Sequence, residues 1–324
     1  MNNKKILIMI MSCNEELYQN QQDIIKNTWL KKIEEYDNID YIIYYGDENI
    51  EKHSYNKESH ILKLRCEDDL KNTFKKTYYA LNLSNKIYKD YDYIFRTNTS
   101  NYVNVELLDK FISCLDDENI LWTSELYSLS NTYCPYPLYL YGRGNGLILS
   151  KKLVNIILKE GKSFLYYSRI DDHVIGNILN SYWIKEGKNY IDYIKSFTHG
   201  WYKCLNIENT NNHLLCIWGN KNKDWNFINK FITIQVRKYD DSRTNEEISY
   251  NELLEVFLNN KYENIDEQIK FIMEYSKNPS VFIGSTLGYI NYNIWINTEK
   301  IKLFELENNN KAPDDKNDLL NKWL

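Results

Sequence analysis

Tyr91-Asp-Tyr-Ile-Phe-Arg-Thr-Asn-Thr-Ser-Asn-Tyr-Val-Asn104 is the stretch of this chain that decides its fold. It begins as an apolar strand, passes through a short polar turn and leads toward an amphipathic helix. In an open α/β sheet a ligand is usually held by the loop at the carboxyl end of such a strand, because the strand fixes the loop and the crevice opens there. The turn at Asn98, Thr99 and Ser100 is therefore predicted to face a ligand.

The segments around this stretch alternate between strand-like and helix-like patterns. Strands are predicted at 5–11, 40–45, 60–64 and 91–96, and helices at 21–33, 68–83 and 105–114. This alternation is typical of an α/β fold with a mostly parallel sheet flanked by helices. Beyond residue 204 the alternation of strand-like and helix-like segments is less clear. We therefore expect a main domain over residues 1–204 and a mainly helical extension over residues 205–324.

Composition and charge exclude several classes of partner. The chain has 324 residues and a net charge of −5, which gives no electrostatic reason to expect nucleic acid or an anionic membrane. Its six cysteines are scattered and include no Cys-x-x-Cys, so neither a disulfide framework nor a zinc site is indicated. The apolar run Ile6–Met11 is too short for a membrane span and is interpreted as a buried strand. A cytoplasmic, reducing setting is the simpler expectation.

Two further segments carry candidate site residues. Gly142-Arg-Gly-Asn-Gly146 holds three of the chain's eleven glycines, which predicts a loop with positive φ or close backbone approach that faces a ligand. Arg169-Ile-Asp-Asp-His-Val-Ile-Gly176 opens a helix with two adjacent carboxylates. The simplest account of that pair is the favourable position of acids at the positive end of a helix dipole.

Five blocks in order resemble one known family, glycosyltransferase family 31, the β-1,3-galactosyltransferase and Fringe group. They are Gln22-Asp-Ile-Ile-Lys-Asn-Thr-Trp29, Cys66-Glu-Asp-Asp-Leu-Lys-Asn-Thr-Phe-Lys-Lys-Thr77, Arg96-Thr-Asn-Thr-Ser-Asn-Tyr-Val-Asn104, Tyr141-Gly-Arg-Gly-Asn-Gly-Leu-Ile-Leu-Ser150 and Asp171-Asp-His-Val-Ile-Gly176. His199 lies where the family often has a histidine, and the resemblance covers roughly residues 4–204.

The resemblance implies a GT-A-type fold and the transfer of a sugar, with inversion, from a UDP-sugar donor to a saccharide acceptor. Asp172 matches the family's second acid and is the candidate catalytic base, while Asp171 could hold the acceptor or take the base role itself. The alternative is that both acids merely cap a helix.

The donor and acceptor sites follow from the same resemblance. On the predicted helix 68–83, Asp68, Asn72 and Lys76 would lie near one face and converge on one ligand, although a polar surface row is the plainer interpretation. The remaining donor-site candidates are Ser12, Cys13, Lys26, Arg96, Asn98, Thr99 and Ser100. The acceptor-site candidates are Trp122, Tyr141, Arg143 and Asn145, the first two because sugar faces stack well on aromatic rings.

The largest departure from the family is at the metal loop, where Asn98-Thr99-Ser100 replaces the Asp-x-Asp that holds Mn²⁺ or Mg²⁺. Amide and hydroxyl groups lack the charge that retains a hard cation. Asp90-Tyr-Asp92 is a literal Asp-x-Asp, but it precedes its strand and should lie at the wrong end of the sheet. Three alternatives follow: a metal-independent transferase that uses arginine or lysine side chains, weak Mn²⁺ use through His199, or an inactive relative that only binds a carbohydrate or nucleotide.

Overall fold

The computed structural model describes residues 4–129, 139–166, 170–197, 199–204, 231–238, 251, 254, 265–277, 280–283 and 288–291. Its strands are β1 Ile6–Met11, β2 Ile39–Gly46, β3 Ser54–Asn56, β4 Ile61–Leu64, β5 Tyr93–Asn98, β6 Asn101–Val103, β7 Leu121–Thr123, β8 Leu126–Leu129, β9 Tyr139–Gly142, β10 Leu147–Ser150, β11 Ile194–Ser196, β12 His199–Cys204, β13 Thr233–Lys238, β14 Ser280–Ile283 and β15 Gly288–Asn291. Its α-helices are α1 Glu16–Asn27, α2 Thr73–Ile87, α3 Val105–Ser113, α4 Lys151–Glu160, α5 Asp171–Lys185 and α6 Ile265–Tyr275. Short 3₁₀ helices occupy Trp29–Glu35, Gly161–Tyr166 and Tyr190–Tyr193.

An eight-stranded sheet forms the centre of the fold, in the order β11-β7-β10-β5-β1-β2-β4-β3. The run β5-β1-β2-β4 is parallel, whereas β10 runs antiparallel between β5 and β7. All six residues of β1 are buried, as expected for a strand that is covered on both faces. The predicted fold class, an α/β fold with a mostly parallel sheet flanked by helices, is confirmed.

Helices cover both faces of the sheet because successive strand residues point to opposite sides. Ile6, Ile8 and Ile10 of β1 join a core cluster with residues of α1, α3 and α6. Leu7, Met9 and Met11 join a second cluster with residues of α2, α4 and α5. Each fully buried isoleucine or leucine contributes roughly 2 kcal/mol by its removal from water, so β1 anchors both layers at once.

The register of β1 against β5 brings the predicted ligand loop to the edge of the sheet. Met11 lies opposite Asn98, and the Thr99 N–H donates to the Met11 carbonyl at 3.2 Å. The two strands therefore end side by side, with Ser12 and Thr99 just beyond their carboxyl ends. This position is the one that the sequence predicted for a ligand site.

Two smaller sheets join segments that are distant in sequence. The order β12-β13-β6 pairs β13 antiparallel with β6, and the Val236 N–H donates to the Ser100 carbonyl at 2.8 Å. The order β15-β14-β8-β9 forms the other sheet. Part of the chain beyond residue 204 thus pairs beside the ligand loop, and the predicted boundary at residue 204 stays a prediction.

The structure corrects two predicted helices. The segment predicted as a helix at 21–33 is α1, which ends at Asn27, followed by the 3₁₀ helix Trp29–Glu35. The helix predicted at 68–83 begins only at Thr73, because Asp68 and Asp69 hydrogen-bond to backbone N–H groups instead of continuing a helix. Among the described residues, no helix is both long and apolar enough to cross a membrane.

Candidate active site

A cavity of about 260 Å³ opens at the carboxyl ends of β1 and β5. The loop that follows β9 and the first turn of α5 close its other side. Eleven of the predicted site residues line it: Ser12, Cys13, Lys76, Arg96, Asn98, Thr99, Ser100, Arg143, Asn145, Asp171 and Asp172. Residues that were not predicted from the sequence also contribute, among them Tyr18, Asp69 and Thr73.

Two buried glutamines of α1 hold the loops that bear Ser12 and Thr99. The Thr99 hydroxyl donates to Gln21 Oε1 at 2.7 Å, and Gln22 Nε2 donates to the Ser12 hydroxyl at 2.8 Å. Both glutamine side chains are buried. Neither glutamine was predicted as a site residue; the available signal in the sequence was two adjacent polar residues on the same helix as the inward-facing Ile25.

Lys76 lies at the floor of the cavity as part of a buried ion pair. Its Nζ is 2.7 Å from Asp68 Oδ1, 3.4 Å from the Ser12 carbonyl and 3.7 Å from Cys13 Sγ. Burial alone would lower the pKa of Lys76, but Cys13 and Asp68 outweigh it and the pKa is raised, so the ammonium keeps its charge. Burial raises the pKa of the Cys13 thiol, against the lowering effect of the Lys76 ammonium.

The other three donor-site predictions lie outside the cavity lining. Asp68 connects loops, since its carboxylate accepts the N–H of Asn14 at 2.5 Å and of Gly46 at 3.0 Å. Asn72 Nδ2 donates to Glu67 Oε2 at 2.9 Å and to Asp69 Oδ1 at 2.8 Å. Lys26 is half-buried in the last turn of α1.

Asp171 is a buried carboxylate whose Oδ2 has two side-chain partners. Arg96 Nη2 lies 2.7 Å from Asp171 Oδ2, and the Thr77 hydroxyl donates to the same oxygen at 2.9 Å. The Asp171 N–H in turn donates to the Thr73 hydroxyl at 3.1 Å. Asp171 and Arg96 are each only 2% exposed, so the pair is removed from water.

Asp172 borders the cavity and lies in a different environment from its neighbour. Its Oδ2 accepts the Gly144 N–H at 3.0 Å, and its Oδ1 accepts the His173 N–H at 2.8 Å. Burial and the adjacent Asp171 charge raise the pKa of Asp172, against the lowering effects of His173 and Arg96. A carboxylate with a raised pKa at a cavity wall can take a proton from a hydroxyl group.

The glycine-rich loop serves close packing rather than unusual φ angles. A Cβ on Gly144 would lie 2.5 Å from Arg96 Nη1, and one on Gly146 would lie 2.9 Å from the Phe197 ring. Within the described residues, the glycine with positive φ is Gly187, outside this loop. Of the two alternatives given by the sequence, close backbone approach is therefore correct.

The four acceptor-site predictions separate into two groups. Arg143 and Asn145 line the cavity; Arg143 Nη1 donates to Glu125 Oε2 at 3.0 Å, and Asn145 Nδ2 donates to Gln235 Oε1 at 3.1 Å. The other two predicted residues do not line the cavity. Trp122 is a core residue whose ring packs edge-on against Phe111 at 5.0 Å, and Tyr141 is buried with its ring 4.4 Å from His173.

The described residues do not present a metal site. In that part of the chain, no group of three or more His, Cys, Asp or Glu side chains is placed to hold an ion. His199 begins β12, but its side chain lies outside the described residues. Asp92 lies at the amino end of β5, where its carboxylate accepts the Lys5 N–H at 2.8 Å. We therefore derive no chemical step through a metal.

The chain is similar to solved structures but not to a known sequence family. No family model and no curated protein matches the chain. A glycosyltransferase involved in the glycosylation of the major capsid of PBCV-1 aligns with 76% of this chain and 99% of its own, at a TM-score of 0.41 and 9% sequence identity. At that similarity, function has to be argued from the residues of this chain.

Proposed function

We propose that this protein is an inverting glycosyltransferase that moves a hexose or N-acetylhexosamine from a UDP-sugar to a hydroxyl group of a saccharide acceptor. The observation that carries the proposal is Asp172, a carboxylate with a raised pKa at the wall of a cavity formed by the carboxyl ends of β1 and β5. This is the edge of an α/β sheet where ligands bind. The resemblance to the β-1,3-galactosyltransferase and Fringe group, including the base role of Asp172, supports the same assignment.

In the proposed reaction Asp172 accepts the proton of the acceptor hydroxyl as its oxygen attacks the anomeric carbon of the donor. The bond between that carbon and the diphosphate oxygen breaks, and UDP leaves with the electron pair. Both Asp172 oxygens already accept one backbone N–H each, at 3.0 and 2.8 Å, and each retains a further lone pair for the incoming proton. The raised pKa makes the carboxylate a stronger base toward a hydroxyl group.

The proposed donor site is the floor of the cavity, formed by Ser12, Cys13, Asn98, Ser100 and the Lys76 ammonium. Ligand pockets are typically about 300–1,000 Å³, so a cavity of about 260 Å³ suits the diphosphate and the transferred sugar rather than the whole nucleotide sugar. Arg143 and Asn145, on the opposite wall, are the proposed acceptor contacts.

A non-catalytic binding protein is the second candidate, and one observation favours it. The three cationic side chains that line the cavity each have a carboxylate partner, at 2.7 Å for Lys76, 2.7 Å for Arg96 and 3.0 Å for Arg143. A transferase must stabilise the developing charge of the leaving diphosphate, and paired cations do so less effectively than free ones. A relative that only binds a neutral saccharide would not need that charge.

The test is transfer and hydrolysis of UDP-sugars by the full chain, measured with and without EDTA. Metal-independent transfer predicts activity that persists in chelator; full loss in EDTA, restored by Mn²⁺, contradicts metal independence alone. If the wild type neither transfers sugar nor hydrolyses any donor, yet binds a saccharide, the binding protein is the correct interpretation.

The role of Asp172 is tested with Asp172→Asn. The amide keeps the shape of the carboxylate and can accept one of the two N–H groups, but it lacks the basic oxygen. We expect transfer to fall by about 10²–10⁴-fold, the usual contribution of a general base, while UDP still binds. Asp90→Asn is the matched control, because Asp90 is exposed and precedes β5 at the far edge of the sheet. Normal turnover in Asp172→Asn would remove Asp172 from the base role.

A further inference from the structure

The Arg96 guanidinium lies between the two acids that open α5. Its Nη2 is 2.7 Å from Asp171 Oδ2, and its Nη1 donates to the Gly144 carbonyl. The N–H of the same glycine donates to Asp172 Oδ2 at 3.0 Å. One buried side chain therefore contacts Asp171 directly and reaches Asp172 through the backbone of a single residue.

We propose that Arg96 is a positioning residue that divides the two adjacent acids into separate roles, holding Asp171 as its buried counter-ion and, through Gly144, fixing Asp172 as the base that faces the cavity. This inference rests on the proposed transferase function. It replaces the sequence-based expectations that Arg96 binds the donor phosphates and that Asp171 could hold the acceptor or take the base role.

The partners of Asp171 identify it as a counter-ion rather than a base. Asp171 Oδ2 receives both the Arg96 guanidinium and the Thr77 hydroxyl, and the Thr77 oxygen is 3.0 Å from the Tyr44 hydroxyl. Since Thr77 donates its proton to Asp171, Tyr44 is the donor to Thr77. The chain Tyr44–Thr77–Asp171 is buried, so a substrate hydroxyl that approaches Asp171 Oδ2 would have to displace the Arg96 or the Thr77 contact.

The guanidinium is also poorly placed to bind phosphate. Arg96 is 2% exposed; one Nη is paired with a carboxylate and the other with a carbonyl oxygen. Its Nε is buried and has no hydrogen-bond partner among the described residues. Binding a phosphate in the bidentate manner typical of arginine would require Arg96 to leave Asp171, and an unpaired buried carboxylate is costly.

Gly144 completes the arrangement because it lets the loop pack against the guanidinium. A Cβ at this position would lie 2.5 Å from Arg96 Nη1 and 3.3 Å from Cζ. Arg96 cannot move aside without disturbing Asp171, so a side chain at position 144 would displace the loop. The N–H that holds Asp172 would move with it.

Four variants of the full chain test the proposal: Arg96→Lys, Arg96→Met, Asp171→Asn and the double variant Arg96→Met/Asp171→Asn. Arg96→Lys keeps the charge but loses the planar fork, so we expect kcat to fall by about 10²-fold from a misplaced base, with donor KM within about 3-fold of wild type. A phosphate-binding role for Arg96 predicts the opposite pattern, with donor KM and UDP Kd both raised. That result would overturn the proposal.

The double variant distinguishes the two acids. Arg96→Met leaves a buried carboxylate without its partner, and we expect Tm to fall by roughly 10 °C. Adding Asp171→Asn removes the stranded charge, so the double variant should regain much of that Tm and part of the lost kcat. If the double variant is no more stable than Arg96→Met, or if Asp171→Asn alone abolishes transfer as completely as Asp172→Asn does, the proposed roles are wrong.

The acid limb of the profile of kcat/KM against pH provides a further test, because a purely structural role of Arg96 would leave its position unchanged. The titratable and charged groups that face Asp172 are Asp171, His173, Arg96, Arg143 and Tyr141. Arg96 lowers the pKa of Asp172, so its loss in Arg96→Met should move the acid limb to higher pH, whereas Arg96→Lys should move it less. An unmoved limb in Arg96→Met would contradict the electrostatic part of the proposal.

The two proposals fail in different ways. A wild type without any transferase activity refutes the proposed function, and the Tm comparison of the four variants still measures the coupling of Arg96 and Asp171. An active wild type whose Arg96 variants change only donor KM refutes this inference and leaves the proposed function intact.

Discussion

Replacing Lys76 with methionine tests whether the floor of the cavity is held by a buried ion pair. Lys76 is fully buried and its Nζ lies 2.7 Å from Asp68 Oδ1, while the Asp68 side chain is 15% exposed. Methionine fills nearly the same volume as the lysine stem, so the change removes the charge with little loss of packing. The variant therefore reports on the electrostatic contribution of the pair.

The expected magnitude follows from what remains around Asp68. Breaking a buried ion pair by removing one partner typically costs about 3–5 kcal/mol, because the other charge is left uncompensated. Asp68 would still accept the backbone N–H of Asn14 at 2.5 Å and of Gly46 at 3.0 Å, and it is partly solvated. These partners soften the loss, so we expect Lys76→Met to lower the free energy of unfolding by about 2–3 kcal/mol.

Urea unfolding at pH 7, followed by circular dichroism, measures the effect as a shift in midpoint at constant slope. Lys32→Met is the matched control: Lys32 and Glu35 form an ion pair of 2.9 Å on the surface, and its loss should cost about 0–1 kcal/mol. Adding Asp68→Asn to Lys76→Met should recover part of the loss. Lys76→Met that unfolds at the wild-type midpoint would refute the reasoning, because a buried ammonium would then contribute nothing to Asp68.

Three further predictions concern the packing and protonation of the site. Gly176→Ala should lower the free energy of unfolding by about 1–3 kcal/mol in urea melts, because the new Cβ would lie 2.6 Å from Tyr141 Cβ and push α5 from β9. Thr99→Val should weaken UDP binding in calorimetry and cost about 1–3 kcal/mol of stability, since it removes the hydrogen bond that the Thr99 hydroxyl donates to the buried Gln21 amide oxygen, and Thr99→Ser should preserve both. The kcat/KM of sugar transfer should fall as the pH drops through a value above the ordinary pKa range of an aspartate, because the pKa of Asp172 is raised and its protonated form cannot act as a base. A profile of kcat/KM against pH that falls only within the ordinary range of an aspartate would contradict this.

The sheet could be predicted because its strands carry a strong and local signal. The apolar run Ile6–Met11 is buried on both faces, and a strand of that kind has few alternatives in an α/β chain. Its alignment with β5 follows from parallel pairing, which brings the carboxyl ends of the two strands, and with them Ser12 and Thr99, to the same edge of the sheet. The glycine cluster was similarly informative, because so many glycines in five residues indicate close approach whatever the partner is.

The contacts within the site could not be predicted because they depend on tertiary partners. Nothing in the local sequence around Arg96 reveals that its partner is Asp171, which lies 75 positions further along the chain and meets it only in the folded sheet. Asp68 was assigned to a helix by spacing, yet its carboxylate bonds to the backbone of two other loops. Trp122 was an aromatic candidate for a sugar contact, but β7 points it into the core.

The charges around the cavity define how a diphosphate could be held there. The described lining contains three cations and three carboxylates, Asp69, Asp171 and Asp172, so it carries no excess positive charge. A UDP leaving group that enters such a site brings uncompensated negative charge, and neutral donors such as Asn98 and Ser100 can stabilise it only through hydrogen bonds. Within this lining, Lys76 is the cation best able to share its charge, because its partner Asp68 is already stabilised by two backbone N–H groups. If transfer in EDTA persists in the wild type, it should therefore be lost in Lys76→Met even where that variant remains folded.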